Sequence, residues 1–82
     1  MEIGNDSVLD TKFVIARNIR YRRMALKMTQ AELGDRVYLG KNAISRREQG
    51  YSSVEAEHLP SIAQALSVQV SELFEAERFY RD

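Results

Sequence analysis

The chain has 82 residues, 44% hydrophobic and 29% charged, with zero formal net charge and no cysteine. That length allows one small domain with a single core, and the lack of thiols excludes a disulfide framework or a cysteine-ligated metal site. No apolar run approaches the roughly 20 residues that span a bilayer, and the acidic start MEIGNDSVLD has no signal-peptide pattern, so a cytoplasmic protein is expected.

Residues 1–9 read as a loose acidic tail. From Asp10 or Thr11, either one a good N-cap type, the pattern predicts a helix to about Ala25, with Ile15, Ile19, Met24 and Leu26 near helical spacing. The second helix is signalled by Thr29 and Glu32, a T-x-x-E capping box, with Met28 and Leu33 placed as a hydrophobic staple. Leu33 and Val37 share its inner face. Gly34 in mid-helix costs up to about 1 kcal/mol relative to alanine, which is expected where another helix approaches closely.

A third helix runs from Gly40, a weak N-cap, to about Gln49, with Gly50 at the left-handed position after it. Ile44 is its one strong apolar anchor, with small Ala43 beside it, so a narrow contact must hold it and leave most of its surface free. Residues 51–58 read as a loop before a fourth helix near Leu59 to Leu66, with Pro60 in the first turn and Leu59, Ile62, Ala63 and Leu66 inward. A fifth helix follows Gln69, burying Val70, Leu73 and Phe74, and EAERFYRD continues a helical pattern. Nothing reads as a strand, so the fold class is all-α.

The neutral total hides an asymmetry. Residues 11–51 hold ten positive side chains against three negative, or +7; the first ten carry three acids, or −3; residues 52–82 hold two bases against six acids, or −4. Such polarity suits a polyanionic partner on one side, and a merely solvated charged face fits it equally.

Five short helices with a tight pair at positions two and three resemble the lambda repressor-like helix-turn-helix domain of the phage repressor and Cro family. Arg23, MTQAEL (28–33), AISRREQG (43–50) and LPSIAQALSVQVSELF (59–74) carry the resemblance, over about residues 13–74. It implies a compact five-helix bundle over 10–75, preceded by the tail 1–9 and followed by a C-terminal extension, 76–82. The family's third helix lies in the major groove of DNA, which assigns Lys41, Asn42, Ser45 and Arg46 to base contacts.

Gln30 stands where relatives contact the phosphate backbone or a recognition-helix side chain. Arg20, Lys27, Tyr51 and Ser52 follow as further phosphate contacts, which fix orientation without reading sequence. Arg23 and Glu48 occupy positions that some relatives join as a structural ion pair. Phe79 and Tyr80 suit either core closure or a dimer contact.

The chain departs from the family pattern where glycines are usual: after helix one, within the turn and after helix four it has Lys27, Tyr38 and Ser67. Either the backbone is left-handed there, at roughly 1–2 kcal/mol for each non-glycine residue, or the turn is rearranged around Gly40. Arg47 replaces an often apolar residue and is expected to reach a phosphate or stay solvated.

The resemblance therefore implies a double-stranded DNA-binding transcription regulator, a homodimer on a near-palindromic operator, similar to Cro-like repressors and restriction–modification controller proteins. No cofactor, metal, membrane or small-molecule effector is expected. The alternative is an antitoxin-like or adaptor module that mainly binds a protein partner. An enzyme is the weakest reading, because His58, Ser45 and Ser61 belong to no acid–base or nucleophile constellation.

Overall fold

The computed structural model describes residues 11–50 and 54–75. Its helices are α1 (Thr11–Ala25), α2 (Gln30–Val37), α3 (Lys41–Glu48) and α4 (Leu59–Ala65). A 3-10 turn at Ala56–His58 leads into α4, and a second, Val70–Phe74, follows it. No residue among those described is in a strand. Tyr51, Ser52, Phe79 and Tyr80, like the segments 1–9 and 76–82, lie outside the described residues.

The all-helical architecture agrees with the sequence pattern, but the described residues contain four α-helices rather than five. The segment expected as the fifth is a five-residue 3-10 turn. Glu72 closes it by accepting from the Gln69 backbone N–H at 2.8 Å. At Glu75 the backbone is already extended. One tight turn suffices to insert Leu73, which is fully buried.

The core joins Ile15 and Ile19 of α1, Met28, Leu33 and Val37 around α2, Ile44 of α3, and Leu59, Ile62, Ala63 and Leu66 of α4. Each fully buried large aliphatic contributes about 1.5–3 kcal/mol. Three residues expected inside are about half-exposed: Met24, Leu26 and Phe74. Met24 lies about 140° around α1 from Ile19 at 100° per residue, Leu26 follows the helix end, and Leu73 takes the inward place beside Phe74. In their stead α1 buries Asn18, whose Nδ2 donates to the Leu73 carbonyl at 2.7 Å and the Glu75 carbonyl at 3.0 Å. That polar clamp fixes the second 3-10 turn against α1.

The glycine-like positions are left-handed: φ is 56° at Lys27, 61° at Tyr38 and 62° at Ser67. Gly40, at φ −76°, is an ordinary extended N-cap and takes no part in a rearranged turn. The left-handed residue lets the chain fold back onto the last carbonyls of each helix. Met28 N–H thereby reaches Arg23 O at 3.1 Å, Leu39 N–H reaches Gly34 O at 2.8 Å, and Val68 N–H reaches Ala63 O at 2.9 Å.

Gly34 does make room for a close approach, but not for another helix. A Cβ there would collide with the Leu39 carbonyl oxygen. The turn's own backbone folds onto the flank of α2, and this sets where α3 begins. The capping box is present, with Thr29 N–H donating to Glu32 Oε1 at 2.7 Å and Glu32 N–H to Thr29 Oγ1 at 3.0 Å.

Candidate functional site

At 100° per residue, the side chains of α3 divide into two arcs. Lys41, Ser45, Gln49, Asn42 and Arg46 fall within about 140° of one another, all of them exposed except half-buried Ser45. The opposite arc carries Ile44 and Glu48, both buried, with Ala43 and Arg47 partly covered. Lys41, Asn42 and Arg46 make no side-chain hydrogen bond or ion pair among the described residues. Ser45 Oγ accepts from Gln49 Nε2 at 2.8 Å. Gln49 was not singled out from sequence, though the step of four from Lys41 through Ser45 leads to it.

The inner arc is held by more than Ile44. Arg23 Nε donates to Glu48 Oε2 at 2.6 Å, Arg23 Nη2 to Glu48 Oε1 at 3.0 Å, and Arg23 Nη1 to the Met28 carbonyl at 2.7 Å. The side chains are only 12% and 2% exposed. Bidentate geometry of this kind gives orientation as well as attraction. Gln30 Nε2 adds a bond to Glu48 Oε1 at 3.1 Å. Of its two expected partners, Gln30 therefore takes the side chain on α3 in this structure. One carboxylate thus ties α1, the start of α2 and the end of α3 together.

Arg47 neither extends nor stays solvated. Its Nη1 donates to the Ala43 carbonyl at 3.0 Å and its Nη2 to Glu55 Oε1 at 3.2 Å. The same Glu55 oxygen faces His58 Nδ1 at 3.1 Å. His58 thus has a carboxylate partner three residues earlier, a spacing visible in the sequence. Glu55's carboxyl sits below its ordinary 4.5, first because of its backbone hydrogen bond, then because of Arg47 and His58.

The phosphate candidates separate in space. Lys27, Thr29, Gln30 and Lys41 line one shallow cleft where the starts of α2 and α3 meet. Arg20 lies in a second groove with Arg17, Tyr21, Met24 and Glu48, between α1 and α3. Lys41 therefore belongs both to the exposed arc and to the first cleft. Backbone N–H groups at two helix starts, beside two lysines, attract anions.

Among the described residues, no group of His, Cys, Asp and Glu could hold a metal ion, and no helix is long and apolar enough to cross a membrane. The chemistry on offer is hydrogen-bond donation and positive charge from a convex rod. That suits recognition of a polar, anionic, grooved surface.

The family model described as "Helix-turn-helix" matches residues 19–73. The chain is also similar to a solved structure of the P22 c2 repressor protein in complex with synthetic operator 9T in the presence of Tl+. That match has a TM-score of 0.71 and 32% identity, and covers 77% of this chain and 96% of that one. A hypothetical transcription factor, NHTF from Neisseria, matches with a TM-score of 0.78 over 83% of this chain and 78% of that one. Its 24% identity speaks for the fold alone. No curated protein matches the chain.

Proposed function

This chain belongs to the helix-turn-helix family, and on that footing we propose that it is a sequence-specific, double-stranded DNA-binding transcription regulator. The observation that carries the reading is the outer arc of α3, where Lys41, Asn42 and Arg46 stand exposed and, among the described residues, unpaired, while Ile44 and Glu48 hold the other side. In this reading α3 enters the major groove with Lys41, Asn42, Ser45 and Arg46 toward the base edges. Arg and Lys donate to guanine O6 and N7, and Asn pairs with adenine. The P22 c2 repressor, similar over most of its length, is seen with an operator.

The cleft of Lys27, Gln30 and Lys41 is the main phosphate contact. Gln30 keeps one amide N–H for that purpose after serving Glu48. Arg20, Tyr51 and Ser52 are flanking backbone contacts of the same kind. Residues 10–75 form the DNA-binding domain, and 76–82, with Phe79 and Tyr80, the dimer contact.

A helix of eight residues is about 12 Å long at 1.5 Å per residue, enough for only three or four base pairs. Useful specificity needs a second copy, and a two-fold dimer places two such helices about 34 Å apart on a near-palindromic site. Selection of bound duplexes from random DNA tests this. The reading expects a motif of two inverted half-sites one helical turn apart, and affinity that falls steeply as salt rises. No enriched motif, with a salt-insensitive partner instead, overturns it in favour of an adaptor.

A further inference from the structure

The hydrogen bond between Gln49 and Ser45 lies on the outer arc of α3, and its direction constrains what Ser45 can offer. A serine hydroxyl has one proton to donate and two lone pairs to accept with. Ser45 Oγ accepts from Gln49 Nε2 at 2.8 Å, and its own proton has no acceptor among the described residues. The backbone of Gln49 is fixed at the end of α3. Its N–H caps α3 by donating to the Ser45 carbonyl at 3.1 Å, and Gly50, left-handed at φ 82°, turns the chain away immediately after it. The three side-chain rotors of this exposed glutamine take their direction from the bond to Ser45 Oγ.

We propose that Gln49 is a positioning residue that commits Ser45 to hydrogen-bond donation in the DNA groove. The base under Ser45 is then chosen for an acceptor edge, such as guanine N7 or O6, adenine N7 or thymine O4. Cytosine, which presents its N4 donor there, is discriminated against. With Gln49 absent, the hydroxyl rotates freely between donating and accepting, and the preference relaxes. The inference rests on α3 reading the major groove and adds a specificity role for a residue outside the assigned contacts.

The test is site selection from random duplex DNA by the full chain and by Ser45→Ala, Gln49→Met and the double variant, with each variant's helicity checked by circular dichroism. Methionine keeps the length and helix propensity of glutamine and removes its donor. The expected result is that Ser45→Ala and Gln49→Met relax preference at the same base position, each by roughly two- to twelve-fold, the worth of one hydrogen bond. The double variant should go no further, and the salt dependence of binding should stay as in the parent.

If Gln49→Met changes nothing, or relaxes a different position from Ser45→Ala, the positioning role is wrong while DNA reading stands. If the unsubstituted chain selects no motif, both fall together.

Discussion

Tyr38 is nearly fully exposed, at 94%, yet its backbone is left-handed at φ 61° and ψ 37°. A side chain that buries nothing cannot compensate for backbone strain through packing. For a non-glycine residue that conformation costs about 1–2 kcal/mol. Replacing Tyr38 by glycine removes this cost but adds back unfolded-chain freedom worth about 0.4–1 kcal/mol. The net expectation is stabilisation of about 0.8 kcal/mol, from the middle of those two ranges. In a domain of 60–100 residues, 1 kcal/mol moves Tm by about 4–8 °C, so Tyr38→Gly should melt about 3–6 °C higher.

Thermal unfolding followed by circular dichroism at 222 nm measures it, and Tyr38→Val is the contrast. Valine's branched Cβ tolerates the left-handed region badly, so that variant should melt below the parent. A Tyr38→Gly variant melting below the parent would refute the reasoning. It would mean that the tyrosine makes a stabilising contact or that the turn is not left-handed.

Gly34→Ala should do the reverse of what helix propensity says: despite alanine's advantage, the new methyl meets the Leu39 carbonyl, and overpacking costs about 1–3 kcal/mol in a denaturant titration. A stabilised Gly34→Ala would show that the turn backbone does not lie against α2. Arg23→Met leaves the buried Glu48 carboxylate with the neutral Gln30 amide but no countercharge and should lose roughly 3–5 kcal/mol, whereas Arg23→Met combined with Glu48→Leu should recover most of it. Equal loss in the single and double variants would count against a stranded charge. Glu55 titrates below 4.5 in the fold, so its contribution is present above that value and disappears as pH falls through the lower folded value. A carboxyl resonance of Glu55 titrating at or above 4.5 would contradict its backbone hydrogen bond and those from Arg47 and His58.

What was legible in the sequence was mostly local. The C-terminal end of α1, the start of α2 at its Thr29–Glu32 capping box, the extent of α4 and the left-handed Gly50 follow from short-range rules that tertiary packing did not override. The single anchor Ile44 was legible because an eight-residue helix with one large apolar side chain has few ways to sit. Long-range packing was not. Periodicity placed Met24, Leu26 and Phe74 inside, but it cannot say how wide the covered face of α1 is. Nor does it say that a 3-10 turn too short for a helix signal would present Leu73 alone.

Asn18 carries no local signal of burial, because its partners, the carbonyls of Leu73 and Glu75, lie 55 and 57 positions away. Arg47 departs from its expectation because the Ala43 carbonyl and Glu55, eight positions on, take its guanidinium. His58 and Gln49 are different. Each had a partner within four residues, and the sequence carried the signal.

The central claim is that the outer arc of α3 reads base edges. It is tested most directly by affinity for the selected operator and for its single-base-pair variants, measured with the parent chain and with Arg46→Ala at one salt concentration. The account predicts that one base-pair change costs the parent roughly 5- to 150-fold, the worth of a good bidentate contact. It also predicts that Arg46→Ala no longer responds to that change while keeping its response to the others. An Arg46→Ala protein that loses the same factor on every sequence, with every base preference intact, would contradict it.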